Sequence, residues 1–360
     1  MREACYKQLR AATMAAGGSE FNMKSLQILK PRRLRSGSVV GVVSLSAPIA
    51  ADCPRRFERG CEALARLGYE VRVSPGAKDK HRYMAGSVEN RVRNLVNLWT
   101  DPDVDAIVST IGGTCLHQLL PHLPFELFRR KPKAFIGYSD TTTLHLCLFS
   151  MSGLVSFYGP AIMPQFGEFG GLPAYTRDGL THVVAGDGVG PIQPALVQIE
   201  ERLSWDKADN RPRELVPVQT RRCLRPGTAH GPLVVANAGC LLLLAGTQYF
   251  PDLTGTILLL EDDESETPET LDRYFTQLSQ IGVLDKIAAL GVGRFPKEVG
   301  IDNDTLDDLL LRTVPKPSIP ILTGLEFGHV DPMATLPIGT RASLDAAKLE
   351  LVLTESSTTP

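Results

Sequence analysis

Along the first half of the chain two kinds of hydrophobic pattern take turns. Short runs over 39–45, 71–73, 106–108, 133–137 and 154–157 read as strands, those at 39–45 and 106–108 being rich in β-branched residues. Between them apolar residues recur at helical spacing. Phe57, Cys61, Leu64 and Leu67 form one such face, ended by Gly68. Val88, Val92, Leu95 and Trp99 form the next, with Ser87 as its N-cap. Leu144, Leu146 and Leu148 form a third, opened by Tyr138-Ser139-Asp140 and stopped by Gly153. Strand–helix alternation of this kind predicts a parallel sheet with helices on both faces. Ligands bind such sheets beyond the carboxyl ends of the strands. Loops 46–48, 112–115, 138–140 and 158–160 therefore converge on one candidate site.

Residues 165–230 are rich in Gly, Pro and charge and carry little periodicity, so they read as a connection. A second alternating unit begins near Gly231. Strands are expected over 233–235, 256–260 and 287–292, helices over 241–244 and 302–314, and a hairpin over 343–353. Thr267-Pro268 supplies the N-cap and first position of a helix whose apolar side is Leu271, Tyr274, Phe275 and Leu278. The expected division is a basic, disordered tail over 1–37, an N-terminal α/β domain over 38–185, a connection over 186–230 and a C-terminal α/β domain over 231–355.

Composition narrows the function. A chain of 360 residues, 43% hydrophobic, buries enough surface for two domains. Its net charge of −2 argues against nucleic acid as a partner. The longest apolar stretch, AGCLLLLAG at 238–246, is far short of the roughly 20 residues that cross a bilayer, so no membrane partner is expected. The seven cysteines are odd in number and never paired as CxxC, which speaks against a disulfide framework and a zinc site and for a reducing, cytoplasmic setting. Residues 1–35 carry eight Lys and Arg against Glu3 and Glu20. That bias fits a tail better than a mitochondrial leader.

The candidate chemistry centres on DAIVSTIGGTCLHQLLP, residues 105–121. A buried strand that turns sharply into a helix is where α/β enzymes expose a nucleophile and aim backbone N–H groups at an anion. Ser109, Thr110, Thr114 and Cys115 are all available there, and nothing local chooses among them. Glu261 leaves an apolar strand at a point where a carboxylate can be held near a site. Asp263, Glu264 and Glu266 read as a solvated acidic turn, and no histidine lies near enough in sequence to make the run a metal site. His329 sits in a loop between Gly328 and Pro332, and a lone loop histidine is more often a surface residue than a catalyst.

Taken together the motifs resemble the LD-carboxypeptidase family, the S66 serine peptidases, and within it the branch of microcin C self-immunity peptidases. The resemblance rests on SVVGVVSLSAP at 38–48, RYMAGSVENRVRNL at 82–95, DPDVDAIVSTIGG at 101–113 and FIGYSDTTTLHL at 135–146. It continues through GLVSFYGPAIMPQFGE at 153–168, GTILLLEDDE at 255–264 and GHVDPMATLPIG at 328–339. It implies a flavodoxin-like N-terminal parallel-sheet domain and a smaller C-terminal α/β domain with the active cleft between them. It further implies a triad whose acid falls on Glu261 and whose base falls on His329. The oxyanion and substrate-binding groups would lie around Gly112, Gly113, Ser139 and Asp140. The implied substrate is a small peptide or peptide-like molecule, of murein or peptidyl-nucleotide type, cut near its carboxyl end. Neither metal nor organic cofactor is implied, and a homodimer is.

The departure falls on the nucleophile. In the family two residues separate the glycine pair from the serine, and a Leu-Leu-Pro-like run follows two residues later. Here Gly112, Gly113 and Leu119-Leu120-Pro121 keep that spacing and the serine position is Leu116. An isobutyl group can neither attack a carbonyl nor bond to an imidazole. Three readings follow: a hydrolase whose nucleophile has moved to Cys115, an enzyme using His329 and Glu261 for acid–base chemistry on another small molecule, or a binding protein without catalysis.

Overall fold

The computed structural model describes residues 27–218 and 221–360, and two sheets organise them. The first contains β1 (Val39–Val43), β2 (Glu70–Val73), β3 (Val104–Ser109), β4 (Ala134–Gly137) and β5 (Ser156–Tyr158), all parallel, in the spatial order 2-1-3-4-5. That order is the flavodoxin-like one, with its switch point between β1 and β3. Helices Pro54–Arg66, Val88–Thr100 and Thr142–Ser152 make crossovers, so β1, β3, β4 and β5 are largely buried on both faces, while the edge strand β2 stays partly exposed. The caps follow the sequence signals. Ser87 accepts from the Asn90 N–H, and Gly153 ends its helix in the left-handed region at φ 65°.

The second sheet has β6 (Gly190–Pro191) and β9 (Arg222–Arg225) at its two edges, and the small antiparallel pair β7 (Val197–Gln198) and β8 (Val216–Pro217) stands apart from it. Its centre is the parallel set β10 (Thr228–Asn237), β11 (Ile257–Glu261), β12 (Ala289–Gly293) and β13 (Ile321–Leu325). The antiparallel β15 (Arg341–Asp345) and β16 (Glu350–Leu353) extend one side and β9 the other. Thr267 caps helix Pro268–Gln280 in a reciprocal pair with Thr270.

Two features depart from the sequence reading. β14 (Leu336–Ile338), from the C-terminal part, leaves its own sheet and pairs antiparallel with β5, Leu336 opposite Tyr158. Residues 29–34, expected to belong to a disordered tail, lie along the N-terminal half instead. Leu29 bridges to Leu154, Arg32 to Thr359, and Leu34 is buried. The rest of that tail, residues 1–26, lies outside the described residues. Among the described residues no helix is long and apolar enough to cross a membrane.

Two hydrophobic layers run through both sheets. One takes Val43, Ile107 and Phe135 together with Val234, Leu258 and Leu290. The other takes Val42, Val108 and Ile136 together with Val235, Leu259 and Leu322. The alternation of the strands sends neighbouring residues to opposite layers.

Candidate active site

β11 is buried along its whole length and delivers Glu261 at its carboxyl end, fully enclosed. A buried carboxylate needs donors, and three reach it. Tyr158, at the end of β5, donates its hydroxyl to Oε1 at 2.5 Å. His329 donates its backbone N–H to Oε2 at 3.0 Å, and its ring Nδ1 stands 2.8 Å from the same oxygen. Since a carboxylate accepts, Nδ1 carries a proton, and Nε2 is the nitrogen left to take up or release one. Nε2 lies 3.0 Å from Ser139 Oγ. Four side chains from four separate strand ends thus form one connected array, Tyr158–Glu261–His329–Ser139.

The backbone makes room for it. Gly328 has φ 84°, and a Cβ there would collide with the Glu261 carboxylate. Burial disfavours the imidazolium of His329, but the adjoining Glu261 charge and hydrogen bond outweigh it, with Asp263 and Glu264 adding to them, and the ring is pushed up to about 9. Burial, then the charge of Glu261, pushes Asp262 up to about 7 and raises the Tyr158 phenol well above its ordinary value. Tyr138 packs edge-on to the His329 ring at 5.0 Å and fixes its plane.

The glycine turn is placed differently from expectation at two of its positions. Gly112 and Gly113 line the same cavity as Ser139 and His329. Cys115 and Leu116 do not. Leu116 opens a short helical turn, Leu116–His122, and its side chain is fully buried in the core beside Leu119 and Leu120. Cys115 is 1% exposed, with Sγ 3.5 Å from Ser46 Oγ and 3.3 Å from Arg91 Nη1. The sulfur that one of the three readings put in the place of the missing serine therefore faces Ser46 and a buried arginine, while the imidazole faces Ser139. Asp140 causes this arrangement. Its Oδ2 accepts the backbone N–H groups of Cys115 (2.8 Å) and Leu116 (2.9 Å) and the Ser46 hydroxyl, which pins the turn with both side chains inward.

The cavity has a volume of about 720 Å³. Its outer wall is the stretch around Trp205, tied down by ion pairs. Arg56 and Arg59 hold Asp209, and Arg213 bridges Glu168 and Asp331. Gln165 donates to Asp331 at 3.0 Å. Sequence reasoning passed over Tyr158, Gln165 and Asp331. Tyr158 had a signal, since it ends a strand at one of the converging loops; Asp331 became visible only through its partners. His145 is buried between Ser156 and the Gly137 carbonyl, and burial pushes it down to about 3. Among the described residues no group of three or more His, Cys, Asp or Glu side chains is arranged to hold a metal ion.

Two family models match the chain, the LD-carboxypeptidase N-terminal domain over residues 40–159 and the LD-carboxypeptidase C-terminal domain over 230–344. This chain belongs to the LD-carboxypeptidase family. Ser139 lies in the first LD-carboxypeptidase segment, and Glu261 and His329 in the second, so the array spans both. Among relatives, the microcin C7 self-immunity protein MccF of Escherichia coli is 30% identical over 329 residues, covering 89% of this chain and 94% of its own. The murein tetrapeptide carboxypeptidase of Pseudomonas aeruginosa is 28% identical over 322 residues, covering 86% and 94%. The wild-type apo structure of MccF superposes with a TM-score of 0.85 at 29% identity, over 92% of this chain and all of that one. An MccF-like protein of Bacillus anthracis gives 0.84 at 29% identity, over 91% and 99%.

Proposed function

We propose that this protein hydrolyses an amide bond near the carboxyl end of a small peptide or peptide-like molecule, with His329 as general base and then general acid, and Glu261 as the group that orients its ring. One observation carries the reading: the His329 imidazole is held on Nδ1 by a buried carboxylate and presents Nε2 to a cavity of peptide size. Gly112 and Gly113, on the same wall, supply the close backbone approach that an oxyanion site needs. The substrate classes are those of the relatives. One is named a murein tetrapeptide carboxypeptidase, and an MccF structure holds aspartyl sulfamoyl adenosine.

A second reading, a binding protein without turnover, is favoured by Leu116 at the family's nucleophile position. One experiment separates the two. The purified protein is incubated with a murein-type tetrapeptide ending in a D-residue and with an aminoacyl sulfamoyl nucleoside, and products are followed by mass spectrometry. Release of the terminal residue or acyl group, lost in His329→Ala, supports hydrolysis. Saturable binding of the same compounds with no release supports the binding protein.

A further inference from the structure

The position that should carry the nucleophile is closed, yet the base still addresses a hydroxyl. Leu116 is packed into the core, its N–H is engaged by Asp140, and its side chain takes no part in lining the cavity. Twenty-three residues on, Ser139 stands at the end of β4 and immediately before helix Thr142–Ser152. That is the strand–turn–helix setting in which a nucleophile is commonly displayed.

Three independent observations single out this serine. Its backbone sits at φ 64°, in the left-handed region that costs a side chain about 1–2 kcal/mol and persists where the surroundings impose it. Its Oγ is 3.0 Å from His329 Nε2, and its N–H reaches the Tyr158 hydroxyl at 3.3 Å, so both its ends are tied to the Glu261 array. Finally, Gly112 makes space for it. A Cβ on Gly112 would stand 2.6 Å from Ser139 Cβ and 2.7 Å from its Oγ. The glycine turn, which no longer presents a nucleophile of its own, packs its bare backbone against Ser139.

Resting on the hydrolase reading above, we infer that Ser139 is the nucleophile of this chain, the attacking hydroxyl having passed from the glycine turn to the neighbouring loop while Glu261 and His329 stay in place. In the first step Ser139 Oγ bonds to the scissile carbonyl carbon and its proton passes to His329 Nε2. The C–N bond then breaks, the leaving amine takes that proton, and an ester remains on Ser139. In the second step water attacks the ester carbon, giving its proton to His329, which returns it to Ser139 Oγ as the acid leaves. Asp140 acts here as a positioning residue, because one of its oxygens ties the old turn to the new serine's loop.

The test is covalent labelling of the full chain with a fluorophosphonate, followed by peptide mapping. The expected result is one adduct, on Ser139, that is lost in His329→Ala. Ser139→Gly, which relieves the positive φ and therefore folds, is expected to lose the adduct and to lower kcat on the order of 10⁴-fold or more with KM little changed. Ser139→Cys is expected to transfer labelling to iodoacetamide. An adduct at any other residue, or none, overturns the inference. So does hydrolysis that survives Ser139→Gly but not His329→Ala, which leaves the hydrolase reading standing with water as the attacking group. An adduct on Ser139 without release from any peptide supports the nucleophile and removes the proposed substrates instead.

Discussion

Glu261 grips His329 twice through one oxygen, Oε2 accepting from the ring Nδ1 at 2.8 Å and from the residue's own backbone N–H at 3.0 Å. The loop and the ring are thereby fixed together, and the carboxylate stabilises the imidazolium. Because the ring is pushed up to about 9, it is mostly cationic at neutral pH and must lose a proton to act as a base. The expected kcat/KM profile therefore climbs through neutrality and levels off above about pH 9. Glu261→Gln should lower the rate and shift the limb toward or below the ordinary histidine value of about 6.5. A wild-type profile already flat at pH 7 would contradict the arrangement.

The same pair has a stability signature. A histidine whose folded value lies above its unfolded one contributes stability that is complete below about pH 6.5 and is lost as pH rises through about 9. The difference in urea midpoint between wild type and Glu261→Gln is thus expected to be larger at pH 6 than at pH 10. Equal differences at the two values would rule out this linkage.

Gly112 separates activity from folding. Alanine there puts a carbon 2.6 Å from Ser139 Cβ and 2.7 Å from its Oγ, so the serine must be displaced from His329. Displacement of a reacting group by about 1 Å costs on the order of 100-fold in rate. Gly112→Ala should show that loss with a melting temperature close to wild type, measured by calorimetry alongside turnover.

Restoring a serine at the family's position should not restore the family's site. Leu116 is fully buried, and truncating a buried leucine costs about 2–5 kcal/mol before any buried hydroxyl is considered. Leu116→Ser is expected to be destabilised by at least that much and to gain no turnover when combined with Ser139→Gly. Cys115→Ala, by contrast, should keep wild-type turnover, because its sulfur faces Ser46 and Arg91.

Outside the lining of the cavity, Glu326 is buried between Arg221 and Arg294. Removing Arg221 strips Oε2 of its donors and leaves Glu326 with Arg294 alone, at a cost of up to about 3–5 kcal/mol. Arg221→Ala should lower the denaturation midpoint accordingly while leaving the pH dependence of the remaining activity unchanged.

Much of this fold was legible because the local signals agreed with one another. Apolar β-branched runs, the Ser87 cap, Gly153 and the Thr267-Pro268 start all gave elements within a few residues of those observed. β14 escaped because three residues, one of them proline, carry no strand pattern of their own; its pairing with β5 is purely tertiary. At the site, Glu261 could be singled out as a carboxylate at the exit of an apolar strand. Ser139 could be placed only in the role of a cap and a substrate contact, since the family spacing pointed to Leu116. What redirects it is a set of distances between four loops, and no spacing along one chain encodes those.

The excursion of β14 also bears on how this protein could be cut. Tyr158, which holds Glu261, lies in β5, and the strand that covers β5 is supplied from beyond His329. A gene truncated after the first sheet would encode an exposed parallel edge ending in the tyrosine of the array, a template for edge-to-edge aggregation. The remainder would carry Glu261 and His329 and a strand without a mate. Both hydrophobic layers are shared as well, so the two sheets are joined by a common core in addition to this stitched seam.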